Sequence, residues 1–339
     1  MAKILITGAA GFIGSQLSYR LWNEQHEITM IDDFSYGSTD NLIFEKKSFL
    51  NDVIRLDITN YNLLDQLFSE KQFDYVYHIA GIAPLPDCQS NPNRAVEVNI
   101  GGTVNILECS KKYGVKNVIF ASTSAIYERN IIFPCREEDV VPPTLIYPST
   151  KYCSEQFCKS YYETYGLNVS IMRFANVYGP HIDCLRKQPP FVAYVIRELF
   201  YNRSPVLHSD GKQSRDYVYI DDLLDLAVTL MNNTGFDVVN VSSNTAVSVS
   251  EMYNLLAELM GKKIDATYVD SANYWSKYPQ LYAGKMPIKK EILDAEVNKY
   301  TLCDNTHAKS KYGWAPKISM REGFKRTIEY TIALLSSKT

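Results

Sequence analysis

What this chain lacks narrows its function first. No apolar run approaches the ~18 residues that cross a bilayer, so no membrane span is expected. The N-terminus, MAKILITGAAGFIGSQL, lacks the unbroken apolar core of a signal peptide. The seven cysteines (88, 109, 135, 153, 158, 184 and 303) form no CxxC pair and are odd in number, which suits reduced thiols in a cytoplasmic protein. The five histidines show no ligand spacing, so no metal site is expected. A formal net charge of −3 argues against a surface built for a nucleic-acid backbone. Low-complexity tracts and solenoid repeats are missing as well.

What remains is an ordinary globular composition, 46% hydrophobic and 22% charged, on 339 residues. That is too long for a minimal domain and suggests two lobes. The first half alternates short apolar runs, KILIT (3–7), EITMID (27–32), VIRLD (53–57), YVYHIA (75–80), VIFAST (118–123) and VSIMRF (169–174), with helical segments at 13–24, 62–70, 94–114 and 149–166. Such alternation predicts an α/β fold: a Rossmann-like, doubly wound parallel sheet covered on both faces. After residue 180 the pattern changes. HIDCLRKQPPF (181–191) reads as a loop, helices follow near 192–201, 250–260 and 319–336, and VVNVSS (238–243) returns to the sheet. The expected division is a dinucleotide-binding domain at 1–180 and 217–243, and a smaller C-terminal α/β substrate lobe at 181–216 and 244–339. The segment 271–292 is aromatic and irregular and has no clear pattern.

TGAAGFIG (7–14) sits between the first strand and the first helix, the context of a dinucleotide fingerprint. Gly8 permits the turn, Gly11 lets backbone approach a pyrophosphate, and Gly14 allows close helix–strand packing; Phe12 and Ile13 open the helix whose N-terminus favours the anion. The spacing is G-x-x-G-x-x-G. Asp32 and Asp33 end the second strand, where a carboxylate holds ribose hydroxyls, and no nearby arginine is there to take a 2′-phosphate, which favours NAD over NADP.

IYPSTKYCSEQF (146–157) contains the one Tyr-x-x-x-Lys match in a chain with 25 tyrosines, although chance alone allows about one or two. Pro148 suits the first position of a helix, which puts Tyr147 at its entrance and Lys151 one turn on, on the same face. A cation there would lower the phenol from its usual ~10 and make Tyr147 a base for a sugar hydroxyl during hydride transfer to a nicotinamide.

With these motifs in place, the chain resembles the extended short-chain dehydrogenase/reductase family, in its nucleotide-sugar epimerase/dehydratase branch, with UDP-glucose 4-epimerase-like features. TGAAGFIG, HIAG (78–81), ASTSAIY (121–127), YPSTK (147–151), RFANVYGP (173–180), DGKQSRDYVYIDD (210–222) and YGWAPKISMREGF (312–324) carry the likeness over nearly the whole length. The resemblance implies a triad of Thr123, Tyr147 and Lys151, with Ser124 as a neighbour that meets substrate. It implies cofactor contacts from Asp57 and Ile58 at the adenine, from Ala80 and Gly81 in HIAG, and from Asn99. It implies substrate contacts from Asn176 at the diphosphate and Arg215 at the nucleotide phosphates; Lys187 and His208 are further candidates. Relatives pair through the helices at 94–114 and 149–166, so a homodimer is expected.

Dehydratases of this branch place Asp-Glu directly after the triad threonine. Here Ser124 and Ala125 stand there, which disfavours elimination. The resemblance then implies 4-epimerisation of a UDP-sugar through a transient 4-keto intermediate, with UDP-glucuronate decarboxylation as the alternative. Regulators that bind dinucleotide on this fold typically lack the Tyr/Lys pair that this chain keeps. Two departures bear on the substrate: Glu128 replaces a common glycine, and KMPIKKEILDAEVN (285–298) replaces an Arg-Pro-Gly-Asp-like nucleotide clamp.

Overall fold

The apolar runs of the first half pair as parallel strands: β1 (Lys3–Thr7), β2 (Glu27–Asp32), β3 (Val53–Arg55), β4 (Tyr75–His78), β5 (Asn117–Thr123) and β6 (Val169–Phe174). The computed structural model describes residues 1–338. Between the strands lie α1 (Phe12–Asn23), α2 (Tyr61–Lys71), α3 (Leu85–Ser90), α4 (Pro92–Val96), α5 (Thr103–Lys112) and α6 (Ile146–Tyr165). Then follow β7 (Asn176–Tyr178), α7 (Phe191–Phe200), β8 (Val206–His208), β9 (Ser214–Tyr219), α8 (Ile220–Leu230), β10 (Phe236–Val241), β11 (Ala246–Ser248), α9 (Val249–Leu259), β12 (Thr267–Val269), α10 (Lys290–Asn298), α11 (Thr306–Tyr312) and α12 (Met320–Ser337).

Seven strands form one sheet in the order β10-β6-β5-β4-β1-β2-β3. Strand order reverses between β1 and β4, and such a switch point opens a crevice beyond the strands' carboxyl ends. The inner strands bury both faces. Ile4, Ile6, Tyr77, Ile119 and Met172 point into one core with α1, α7, α8 and α12; Leu5, Val76, Val118, Phe120 and Ile171 point into the other with α2, α5 and α6. The alternation explains why these strands read as continuous apolar runs.

The expected helix at 94–114 is not one α-helix. A π-helical stretch, Glu97–Gly102, joins α4 to α5 and includes Asn99. Such widened turns recur at functional sites because they re-aim side chains. The C-terminal region adds a three-stranded sheet, β11-β9-β7, and a parallel pair, β12-β8. The unreadable segment near 271–292 folds around Trp275, which is 1% exposed, and packs with Tyr278, Leu281 and Leu293 against Leu145 at the entrance of α6. Its irregular sequence follows from wrapping an aromatic anchor instead of presenting a periodic face.

Candidate active site

The glycine loop turns sharply at Gly8, whose φ is +69°; a Cβ there would stand 2.8 Å from the Ala80 backbone. This close approach brings TGAAGFIG against HIAG at the sheet's switch point. A Cβ on Gly14 would lie 2.1 Å from the Gly8 oxygen, whereas one on Gly11 would meet only that oxygen, at 3.2 Å. Gly11 caps α1 without a side-chain hydrogen bond. Among the described residues no acceptor engages the N–H groups of Phe12 and Ile13. These unpaired donors at the positive end of a 12-residue helix fit a pyrophosphate.

Asp32 is buried. It accepts from Ala10 N at 2.9 Å and Phe34 N at 2.7 Å, so it braces the loop, and burial raises its pKa. Asp33 accepts from Ser35 N at 2.9 Å and Ser35 Oγ at 2.6 Å. The expectation that no arginine lies near is corrected. Arg94 of α4 reaches within 3.7 Å of Asp33 and pairs with Asp57 at 2.7 Å and Glu97 at 2.9 Å. Sequence distance hid it. Its carboxylate partners already occupy the guanidinium, and although burial pushes Asp57 up, the Arg94 guanidinium and the hydrogen bonds from Thr59 draw it below its ordinary pKa. Ile58 is buried against Gly102.

Thr123 ends β5 and its hydroxyl accepts from Ala125 N at 3.1 Å, while Ser124 opens the short 3-10 turn that follows. Tyr147 lies in the first turn of α6, and Lys151 follows one turn on. Pro148 is the third helical residue, not the first, because the helix begins at Ile146. Tyr147 is 9% exposed, and burial pushes its phenol up to about 12; the Thr123 side chain and the Arg186 guanidinium pull it down. Lys151 is tied to the strand that ends in Thr123. Its Nζ donates to the Ala121 oxygen at 2.8 Å and sits 4.8 Å over the Phe120 ring. Burial lowers its own pKa to about 8. A Cβ on Gly81 would stand 3.1 Å from that Nζ and from Asn99 Oδ1, so the glycine lets HIAG pass close to both side chains.

Asn99 is fully engaged: it accepts from Ile82 N at 2.8 Å and donates to Ile82 O and Thr150 Oγ1, each at 3.0 Å. It ties the loop after β4 to α6. Asn176 is exposed on β7 and donates to Asp216 O at 2.9 Å. Arg215 turns away from open space. Its terminal nitrogens donate to Ser214, Lys299, Glu296 and Val297 carbonyls, capping the C-terminus of α10. His208 sets its ring edge-on to Tyr274 at 5.1 Å, and its buried Nδ1 meets no hydrogen-bond partner among the described residues. Lys187 lies over the Tyr278 ring at 4.1 Å.

Three features gain a structural role only in the fold. Glu128, the departure from glycine, accepts from Thr144 N at 2.5 Å and Leu145 N at 2.9 Å, bracing the α6 entrance from seventeen residues upstream. Arg186 is mostly buried, with its Nε on Gln188 O at 2.7 Å and no carboxylate within ion-pair distance among the described residues; burial lowers its pKa. It lines a cleft of about 410 Å³ with Gly37, Lys187, Tyr278, Tyr36 and Asp87. Asp87 accepts from Tyr36 OH at 2.7 Å across this cleft. In sequence, LRKQPPF offers Arg186 and Lys187 near the pocket, to bind phosphate, to meet an acidic sugar or, the slightly favoured reading, simply to be solvated. Among the described residues no group of side chains could hold a metal, and no helix is long and apolar enough to cross a membrane.

A profile of the NAD dependent epimerase/dehydratase family matches residues 4–242. The UDP-glucuronate 4-epimerase of Thermodesulfobacterium geofontis is 30% identical over 340 residues, covering 98% of this chain and 96% of that protein. The solved UDP-glucose 4-epimerase of Thermotoga maritima with UDP-glucose superposes with a TM-score of 0.87 at 30% identity, over 98% of this chain and 99% of that one. The UDP-glucuronic acid 4-epimerase of Bacillus cereus, in complex with UDP-glucuronic acid and NAD, gives 0.79 at 26% identity, over 98% and 99%.

Proposed function

The chain belongs to the NAD dependent epimerase/dehydratase family, and we propose that it is a NAD-dependent nucleotide-sugar epimerase acting at C4 of a UDP-sugar. The observation that carries this reading is the meeting of Thr123, Tyr147 and Lys151 at the end of β5, beside the glycine cradle. Tyr147 takes the proton of the C4 hydroxyl, Thr123 orients that hydroxyl, and Lys151 holds the ribose next to the ring that reacts. NAD, when bound, would supply the acceptor and donor of the hydride. Gly8, Gly11, Phe12, Ile13 and Gly14 hold the pyrophosphate; Asp32 and Asp33 hold the ribose; Asp57, Ile58, Ala80, Gly81 and Asn99 complete the cofactor wall. The lobe formed by 181–216 and 244–339 anchors the nucleotide through Asn176, Lys187, His208 and the region of Arg215, so that remote binding energy retains the 4-keto sugar while it turns over. Ser124 faces the sugar. Ser124 and Ala125, which stand where dehydratases of this family carry Asp-Glu, speak for epimerisation over elimination.

Arg186 favours a second form of this reading, in which the sugar is a uronic acid whose carboxylate meets the unpaired guanidinium. Decarboxylation is the competing outcome there. The protein works as a homodimer through the α4–α5 and α6 faces, where Val96, Phe157 and Tyr165 are exposed. A cytoplasmic location suits seven unpaired thiols.

The test is incubation with NAD and a panel of UDP-, dTDP-, GDP- and CDP-sugars, read by chromatography and mass spectrometry. A product of unchanged mass supports the epimerase. Loss of carbon dioxide reassigns it to a decarboxylase, and loss of water overturns the reading of Ser124 and Ala125. Tyr147→Phe should abolish turnover and leave NAD bound; unaltered function in that variant would favour a dinucleotide-binding regulator.

A further inference from the structure

One buried ion pair lies outside the proton-transfer groups and touches both elements that carry them. Glu155 is 2% exposed and Arg173 is 4% exposed. Arg173 grips Glu155 with two bonds, Nε to Oε1 at 3.0 Å and Nη2 to Oε2 at 2.7 Å. Glu155 stands on α6 one turn beyond Lys151 and two beyond Tyr147, so the three share a face. Its Oε1 also accepts from Ser122 Oγ at 2.5 Å. Ser122 is the residue directly before Thr123. The other end of Arg173 donates to Tyr127 OH at 2.8 Å and Glu137 O at 2.6 Å, which fixes the turn directly after Thr123 and the segment leading to α6.

A pair of this kind is weak as a source of stability, because taking both charges from water offsets most of their attraction. Its geometry constrains position. α6 could slide or roll against β5 without losing apolar contact, but not without breaking the bonds to Ser122 and Arg173. Together with the Lys151–Ala121 bond, the helix is pinned to three consecutive residues of β5, Ala121, Ser122 and Thr123.

We propose that Glu155, held by Arg173, is a positioning residue: it sets the face of α6 that carries Tyr147 and Lys151 against the end of β5 that carries Thr123. The inference rests on Tyr147 being the acid/base. It also has an electrostatic side. Glu155 supports the protonated form of Lys151 against burial, alongside Cys88 from α3 and Cys158 from α6, while His78 on β4 faces the same ammonium as a neutral ring.

The test replaces the pair by apolar residues, Glu155→Met with Arg173→Leu, which keeps the volume filled without a lone buried charge. UDP-glucose and UDP-glucuronate are the probes. The expected result is a folded, NAD-loaded protein whose kcat falls on the order of tenfold to a hundredfold, as small misplacements do, with KM nearly unchanged. The alkaline limb of its pH–rate profile moves to lower pH. Ser122→Ala, which removes one hydrogen bond and nothing larger, should lower kcat by roughly threefold or more in the same pattern; it decides the matter if the double variant does not fold. Wild-type kcat and pH profile in either folded variant would overturn the proposal. Tyr147→Phe runs alongside: turnover surviving in that variant removes the acid/base reading itself, whereas its loss beside a wild-type Ser122→Ala removes only the positioning role.

Discussion

Lys151 donates to the main-chain oxygen of Ala121 at 2.8 Å, and by that bond the helix bearing the tyrosine is tied to the strand that ends in Thr123. The ammonium has no carboxylate within ion-pair distance among the described residues, and burial brings its pKa from 10.5 down to about 8. Such a group costs stability in order to stand where the chemistry needs it.

Lys151→Met should therefore stabilise the fold while abolishing turnover. Between about 8 and 10.5 the unfolded chain holds the proton that the native protein has released, so wild-type stability rises with pH through that window. The variant's advantage, on the order of 1–3 kcal/mol at pH 7, should shrink as pH rises from 8 to 10.5. Urea unfolding of both proteins across this range checks it. A variant less stable than wild type at pH 7 would contradict the burial account.

The two glycines of the loop should respond differently to alanine. Gly14→Ala drives a Cβ to 2.1 Å from the Gly8 oxygen and should unfold or strongly destabilise the domain. Gly11→Ala meets only one oxygen, at 3.2 Å, and should fold, with its loss confined to NAD retention. Thermal melts and the nucleotide content of the purified variants separate the two. Equal melting points would show that Gly14 is not a packing glycine.

His78 should set the acid limb of stability. It is 1% exposed between Thr7 Oγ1 at 2.8 Å and Thr103 Oγ1 at 3.0 Å. Thr103 donates onward to Asn99 O at 2.6 Å and Thr7 accepts from Ala80 N at 3.1 Å, so Nε2 carries the ring proton and Nδ1 accepts. Burial lowers its pKa to about 3. Below 6.5 the unfolded chain takes up a proton that the native one refuses, so stability is lost as pH falls from 6.5 toward 3. The loss is on the order of several kcal/mol at the acid end. His78→Gln should be weaker at pH 7 yet show a flatter pH dependence in chemical unfolding. A gap between the two that stays constant down to pH 4 would rule this out.

Phe157 is 40% exposed on α6 and Tyr165 57%. Phe157→Glu should convert a dimer to a monomer in light scattering while leaving the far-UV spectrum unchanged, because the substituted face contributes nothing to the chain's own core. A wild-type monomer at micromolar concentration would refute the pairing outright.

The parallel sheet was legible because both of its faces are buried, which leaves unbroken apolar runs such as VSIMRF. The glycine loop was legible because its conformation tolerates only glycine at Gly8 and Gly14. The Tyr147–Lys151 pair could be found by helical spacing, which brings i and i+4 onto one face without help from the rest of the fold. The segment around Trp275 was not legible, since an aromatic anchor wrapped by irregular backbone leaves no period in sequence.

The electrostatics of the site were decided by tertiary structure alone. Arg94, Arg186 and Arg215 look alike on paper. In the fold the first is spent on Asp57 and Glu97, the third on the carbonyls that end α10, and the second lines the cleft with no carboxylate within ion-pair distance among the described residues. Local sequence determines where a strand, a glycine turn or a helical face can form, because those are short-range properties of the backbone. Which donors remain free depends on partners dozens of residues away, and only packing brings them within the few ångströms at which a charge is matched or left for a ligand.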